Sequence, residues 1–181
     1  MALIRLSGPA APEVAALVFR PSSPRFKPAD EMAGYTCAPG TILAANGQPI
    51  DQVVLTRFQA PHSFTGEEVY EITCHGGQAV RQAILDRLYS LGVQPAGPGE
   101  FTRRAFLNGK LDLAQAEAVM DLIAATADKR AQVAIRHLQG QLSIRLQEIR
   151  TSLYGVLAQL ELALEYPEHD ESDAARQSLV Q

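Results

Sequence analysis

Residues 97–123 read GPGEFTRRAFLNGKLDLAQAEAVMDLI, and the hydrophobic period of the sequence changes within them. Sequence before this stretch has the short apolar runs and turns typical of strands, whereas sequence after it has the 3–4 spacing of helices. The stretch also carries side chains that could meet a ligand: Glu100, Arg103, Arg104, Asn108 and Lys110. It therefore predicts a boundary between two domains, which we place between residues 108 and 109.

The first predicted domain, residues 1–108, has an α+β pattern. Short apolar runs bounded by turn signals predict a mixed sheet flanked by helices. The predicted strands are 2–6, 34–45, 52–58 and 69–73, the predicted helices are 12–19 and 80–91, and residues 20–32 are predicted to form a loop. Asn46-Gly47, between two strands, is a strong hairpin signal.

The second predicted domain, residues 109–181, is an all-α segment with long helices. Asp112 followed by Gln115 has the form of a capping box, which predicts a helix start. An apolar stripe from Ile135 to Leu164 predicts a single long helix. Nearly forty residues without a proline would give it a length on the order of 55 Å at 1.5 Å per residue. The acidic tail 166–181 follows and is predicted to be a linker or a cut end.

Composition favours a soluble globular protein of the cytoplasm. The 181 residues are 46% apolar, and the net charge of −4 argues against a general nucleic-acid coat protein. Cys37 and Cys74 lack metal-type spacing and suit a reducing compartment. Ser7-Gly8-Pro9 interrupts the apolar N-terminus, so we expect neither a signal peptide nor a membrane span.

No motif in the sequence forms a complete catalytic site. Cys74 and His75 would point to opposite faces of a strand, which favours a structural cysteine over a nucleophile or a zinc ligand. The pair Gly109-Lys110 lacks the surrounding residues of a phosphate-binding loop, and there is no G-x-S-x-G elbow. We therefore assign no catalytic residue and no metal ligand.

Three charged residues from separate segments are candidates for ligand binding. Arg5 interrupts an apolar strand, Glu71 lies between Tyr70 and Ile72, and Lys110 lies at the predicted domain boundary. Each residue alone is more often part of a salt bridge or a solvated surface. Together they could bind a ligand that carries both an amidine-like edge and a carboxylate.

Several sequence blocks resemble the family of tRNA modification GTPases called MnmE or TrmE. The blocks are IRLSGP at 4–9, SFTGE at 63–67, HGG at 75–77, PGEFTRRAFLNGKLDLAQAEA at 98–118 and LQG at 138–140. The resemblance covers about residues 2–170. It implies an N-terminal domain that binds a tetrahydrofolate derivative (5-formyl or 5,10-methylene), resembles the folate-binding domains of aminomethyltransferases, and forms a homodimer. The family's folate contacts fall on Arg5, Glu71 and Lys110.

The same resemblance implies a role in tRNA modification. Members of the family carry a GTP-hydrolysing domain inserted in a helical domain and use GTP, Mg²⁺ and K⁺. With the FAD-dependent partner MnmG, they add an aminomethyl or carboxymethylaminomethyl group to C5 of the wobble uridine 34 of tRNA. The implied protein is cytoplasmic and is not associated with a membrane.

The sequence also departs from the family pattern. A glycine-rich segment that precedes IRLSG in the family is absent, and the GTP-hydrolysing domain and the C-terminal half of the helical domain do not follow. Asn108-Gly109-Lys110 replaces the usual Asn-Asp-Lys. We therefore expect a fragment that is inactive toward GTP alone. Two alternatives stay open: a non-catalytic dimerisation or interaction module, and a folate-dependent aminomethyltransferase-like protein, which the 98–118 block disfavours.

Overall fold

The computed structural model describes residues 1–165, so the predicted acidic tail at 166–181 lies outside the described residues. The chain divides into two compact units, of which the first is Met1–Ala116 and the second begins at Glu117. Within the described residues, no helix is both long enough and apolar enough to span a bilayer.

The first unit is built on a five-stranded sheet. The strands are β1 (Ala2–Ser7), β2 (Phe19–Pro21), β3 (Thr36–Leu43), β4 (Pro49–Phe58) and β5 (Val69–Cys74). Their order is β1-β5-β4-β3-β2, and every neighbouring pair is antiparallel. The predicted α+β class is confirmed. The sheet is antiparallel rather than mixed, because each strand runs opposite to the strand beside it. The predicted loop at 20–32 is wrong in part, since it contributes to β2 and to a 3₁₀ turn at Ala29–Glu31.

Helices cover one face of this sheet. The helices of the unit are α1 (Ala11–Val18), α2 (Gln78–Tyr89) and α3 (Glu100–Leu107), and α3 was not predicted. The core fills the space between α1, α2 and the sheet, and its largest fully buried side chains include Ile42, Leu55, Tyr70, Ile72 and Ile84. Apolar side chains alternate with polar ones along β5, so only one face of that strand enters this core.

A fourth helix, α4 (Leu113–Ala124), begins inside the first unit. The predicted capping box is confirmed. The Gln115 N–H donates to Asp112 Oδ1 at 2.9 Å, and the Asp112 N–H donates to Gln115 Oε1 at 3.0 Å. Two amides at the start of α4 are therefore satisfied by reciprocal side-chain bonds.

The second unit contains α5 (Asp128–Leu138) and α6 (Gln141–Glu165). The prediction of a single helix across 135–164 is wrong, because Gly140 adopts a left-handed φ of 81° and its N–H donates to the His137 carbonyl at 2.9 Å. Glycine at this position ends a helix without a steric penalty. No residue of α6 is buried among the described residues, and its apolar stripe is exposed: Leu146, Ile149, Leu153, Leu160 and Leu164.

The strand register of the first unit defines a second sheet face, opposite the α1–α2 core. Arg5 pairs with Glu71, Glu71 with Thr56, and Thr56 with Cys37. Side chains of directly opposed residues lie on the same face, so these four residues form one row across β1, β5, β4 and β3. We call this surface the polar face.

Candidate functional site

Arg5 and Glu71 form an ion pair on the polar face. The Arg5 Nε donates to Glu71 Oε1 at 2.8 Å, and Arg5 Nη2 donates to the same oxygen at 2.5 Å. Within residues 1–165, no hydrogen bond reaches the second oxygen, Glu71 Oε2. The pair is therefore not a two-oxygen fork, and one carboxylate oxygen keeps its full capacity to accept.

The guanidinium of Arg5 also stacks on an aromatic ring. Its Cζ lies 5.4 Å from the centroid of the Phe101 ring, a cation–π distance. Phe101 belongs to α3, so this contact joins the helix to β1. The Arg5 side chain is 38% exposed and keeps access to solvent, despite its contacts with Glu71 and Phe101.

A cavity of about 510 Å³ opens beside Arg5. β1, which is the outermost strand of the sheet, borders it on one side, and residues 91–97 border it on another. Apolar side chains of β1, α1 and α2 form much of its lining, and its charged and aromatic members are Arg5, Tyr89, Glu100, Phe101 and Arg104. Neither Glu71 nor Lys110 is part of this lining. This volume is in the range of pockets that hold small organic ligands.

Lys110 lies at a different point, just after α3. Its N–H donates to the Ala105 carbonyl at 2.8 Å, which fixes the backbone close to the helix end. Its aliphatic stem packs over Gly66, since a Cβ at Gly66 would stand 3.2 Å from Lys110 Cγ. The lysine is exposed, and it forms no ion pair within the described part of the chain. The structure thus brings Arg5 and Glu71 into contact, and it places Lys110 beside the 63–68 loop without contact to either.

A hydrogen-bonded network connects these segments. Ser7 Oγ donates to Glu67 Oε2 at 2.7 Å, and Arg104 Nη1 donates to the same oxygen at 3.2 Å. Because the single Ser7 proton is directed to the carboxylate, the 2.8 Å contact between Ser7 Oγ and Thr65 Oγ1 is donated by Thr65. Thr65 is fully buried, so the network anchors the 63–68 loop to the end of β1.

Arg104 belongs to this network as well as to the lining of the cavity. Its Nε donates to Glu100 Oε1 at 2.9 Å, in addition to the bond to Glu67. The hydrogen bond to Glu100, followed by that to Glu67, raises the pKa of Arg104 against the opposing effect of burial. Arg103, by contrast, is 68% exposed on its side chain and reaches only Glu100, at 3.8 Å.

Sequence reasoning missed Ser7, Thr65, Glu67 and Phe101 as members of the site. All four lie in blocks that carried the family resemblance, but their partners are up to 96 residues away in the sequence, as in the Arg5–Phe101 contact. The register of β1 with β5 and the position of α3 create these contacts. The hydrophobic periodicity of the sequence indicates neither the register of β1 with β5 nor the position of α3.

Cys74 and His75 point in opposite directions, as expected. The Cys74 thiol is buried, donates to the Ala2 carbonyl at 3.6 Å, and has a pKa raised by that burial. The His75 side chain is 73% exposed, and its Nδ1 lies 2.7 Å from Asp51 Oδ1. Among residues 1–165, no three His, Cys, Asp or Glu side chains cluster closely enough to hold a metal ion.

An ion pair, a stacked aromatic ring and an adjoining cavity are components that can bind a small polar ligand, and Lys110 lies apart from them beside the 63–68 loop. The fold and this site together define the class: an α+β domain that carries a candidate ligand site, joined to a helical segment.

Comparison with known families makes the assignment specific. Residues 1–110 match the family model described as GTP-binding protein TrmE N-terminus, and residues 113–181 match the MnmE helical domain. The chain therefore belongs to the MnmE (TrmE) family of tRNA modification GTPases, and the resemblance seen in the sequence is confirmed.

Individual relatives agree with this assignment. The chain is 43% identical to the tRNA modification GTPase MnmE of Parabacteroides distasonis over 98% of its own length and 38% of the relative's. It is 44% identical to the protein of that name from Salinibacter ruber and 42% identical to the one from Enterococcus faecalis, in each case over 99% of its own length. The chain spans 38% of the length of these relatives.

Proposed function

We propose that the first unit binds a reduced folate, a 5-formyl or 5,10-methylene tetrahydrofolate, through Glu71, Arg5 and Lys110. The observation that carries this proposal is the Arg5–Glu71 pair on the polar face, beside a cavity of about 510 Å³. Membership of the tRNA modification family supports it, because the resemblance implies folate contacts at these three positions: Arg5 and Lys110 within matched blocks, and Glu71 just before the HGG block.

Glu71 has the chemistry to recognise the pterin ring. The 2-amino group and the N3–H of a pterin are two parallel donors, which a carboxylate can accept with its two oxygens. Glu71 Oε2 is free to take one of them, whereas Oε1 already accepts from Arg5. Binding in this mode requires Arg5 to share Oε1 or to turn away from it.

Arg5 and Lys110 supply the cations for the rest of the ligand. Arg5 stacks on Phe101 and places its charge beside Glu71. Lys110 has an exposed ammonium on a stem held against Gly66. The glutamyl carboxylates and the oxygen of a formyl group are the acceptors that these cations suit.

For the longer proteins in which such a chain occurs, we propose the complete family reaction. That protein would form a homodimer in the cytoplasm, hydrolyse GTP with Mg²⁺ and K⁺, and act with the FAD-dependent MnmG. Its product would be an aminomethyl or carboxymethylaminomethyl group on C5 of the tRNA wobble uridine. The role of the present residues would be to hold the one-carbon donor and to contribute to dimerisation.

The test is calorimetric titration of 5-formyl-tetrahydrofolate into the chain and into Glu71→Gln. Hydrogen bonds to a charged acceptor contribute about 1.5–3 kcal/mol, so loss of the charge should weaken binding roughly 10- to 100-fold. Glu13→Gln is the matched control, because it makes the same change at an exposed carboxylate on α1. Equal affinities for wild type and Glu71→Gln would reject the assignment of Glu71.

Absence of any binding by the folded wild-type chain would favour the interaction module instead. The exposed apolar stripe of α6 is the feature that such a module would use. Binding by the chain, lost in Glu71→Gln and retained in Glu13→Gln, is the expected result.

A further inference from the structure

The contacts of Arg104 connect three segments that hold the proposed ligand residues. Its bond to Glu100 lies within α3, at i,i+4 spacing, and so joins nothing beyond that helix. Its bond to Glu67 spans 37 residues of sequence and joins α3 to the 63–68 loop. The guanidinium fork suits this bridge, because Nε and Nη1 donate in different directions.

Glu67 extends the connection to β1. The same oxygen that accepts from Arg104 also accepts from Ser7 Oγ at 2.7 Å. Ser7 follows Arg5 by two residues, so the two side chains leave β1 on the same face. Fixing Ser7 therefore fixes the end of the strand that presents Arg5.

The other direction of the connection leads to Lys110. The Asn108 side-chain amide donates to the Thr65 carbonyl at 2.7 Å, and the Lys110 stem packs against Gly66. Phe101, three residues before Arg104 and thus on the same side of α3, stacks on Arg5. Helix α3 therefore contacts one proposed ligand-binding cation, Arg5, and its end leads directly to the other, Lys110.

We propose that Arg104 is a positioning residue for the reduced-folate site. By bridging Glu67 and Glu100, it sets the relative positions of β1, the 63–68 loop and α3, and through them the placement of Arg5 and Lys110. This inference rests on the proposed function. A role in stability alone fits less well, because the Arg104 side chain is 38% exposed and ion pairs with that exposure stabilise a fold only weakly.

The experiment compares Arg104→Gln with Arg103→Gln in the 181-residue chain. Arg103 is a matched control, since it neighbours Arg104 on α3 and faces the same Glu100, but it makes no contact with Glu67. Calorimetric titration with 5-formyl-tetrahydrofolate gives the affinity, and amide hydrogen exchange of Ser7 and residues 63–68 gives the positional effect without ligand. Thermal melting shows whether each variant is folded.

We expect Arg104→Gln to raise Kd by roughly 10-fold, as loss of a charge-assisted bridge implies, and Arg103→Gln to change it less than twofold. Arg104→Lys should restore part of the affinity, because a lysine can meet one carboxylate but not both in a fork. Exchange at residues 63–68 should quicken in Arg104→Gln alone. Equal affinity and equal exchange in the two glutamine variants would overturn the proposal.

Two further results separate this inference from the proposed function. If the wild-type chain binds no folate, the ligand assignment fails, and the exchange comparison alone decides whether Arg104 positions the loop. If Arg104→Gln does not fold, Glu67→Gln takes its place, since it removes the charge that Arg104 meets and keeps an oxygen acceptor for Ser7. Unchanged affinity in folded Glu67→Gln would contradict the bridge.

Discussion

Replacement of Gly66 by alanine tests the connection between the 63–68 loop and Lys110. Gly66 has a φ of +78°, where an alanine costs about 1–2 kcal/mol relative to glycine. The new Cβ would stand 3.2 Å from Asn108 Cβ and from Lys110 Cγ, and 3.4 Å from Lys110 Cδ. Crowding of this kind adds on the order of 1 kcal/mol. The free energy of unfolding should therefore fall by roughly 2–3 kcal/mol.

Gly47→Ala is the control for the backbone term. Gly47 has nearly the same φ, +79°, but a Cβ there would meet nothing within 4 Å. The free energy of unfolding of Gly47→Ala should therefore fall only by the cost of the left-handed conformation, about 1–2 kcal/mol. Hydrogen exchange along a urea gradient, read from peptides within residues 1–116, measures both losses for the first unit alone.

The two variants should also differ in ligand affinity. Gly66→Ala pushes the Lys110 stem aside and should raise the Kd for 5-formyl-tetrahydrofolate several-fold, whereas Gly47→Ala should leave it unchanged. Equal stability losses and equal affinities in the two variants would refute the packing of Lys110 on Gly66 as a determinant of the site.

Two further predictions concern titratable groups of the first unit. Burial acts to raise the pKa of Asp51. Hydrogen bonds from the backbone and the ring of His75, together with electrostatic attraction to that ring, hold this pKa below its usual value. The resulting stabilisation is present above the unfolded pKa of about 3.9 and is lost as pH falls through the lower folded value. The Tm advantage of wild type over Asp51→Asn should therefore shrink as the pH falls below about 4; an undiminished advantage in stronger acid would contradict it. Tyr70 donates to the buried Ala29 carbonyl at 2.7 Å, and burial raises its pKa to about 12. Its stabilisation should be complete below the unfolded pKa of about 10 and decline as pH rises toward 12. Tyr70→Phe should cost about 1–2 kcal/mol at neutral pH and remove one late-titrating phenol from the tyrosinate absorbance; an unchanged titration would argue against the burial of this hydroxyl.

Local signals in the sequence were sufficient for much of the fold. Asn46-Gly47 marked the turn between β3 and β4, and the pair Asp112 and Gln115 marked the start of α4, because both effects act over two to four residues. Strand positions followed from alternation and β-forming residues. These are short-range properties that a single sequence carries directly.

The elements that were missed depend on tertiary contacts. The short strand β2 is set by pairing with β3, and α3 is held by Arg104, Phe101 and Asn108 rather than by a continuous apolar stripe. The break after α5 depends on the left-handed conformation of Gly140, and the surrounding leucine period continues across it. Propensity and periodicity are weak guides where such contacts decide the conformation.

The ligand residues show the same limit. Arg5 and Glu71 were grouped as candidates by charge type and family resemblance, and the β1–β5 register then places them opposite one another. The free oxygen of Glu71, the Phe101 stack and the Ser7–Glu67–Arg104 bridge require the three-dimensional arrangement. The sequence could therefore name charged groups for a site but could not define which of them are free to meet a ligand.

The most direct test of the central claim is a crystal structure of the chain with 5-formyl-tetrahydrofolate. We expect the 2-amino and N3 nitrogens of the pterin at about 2.7–2.9 Å from the two carboxylate oxygens of Glu71, with Arg5 sharing Oε1 or turned toward a carboxylate of the ligand. A complex in which the pterin lies elsewhere, and the Arg5–Glu71 pair keeps its ligand-free contacts, would contradict it.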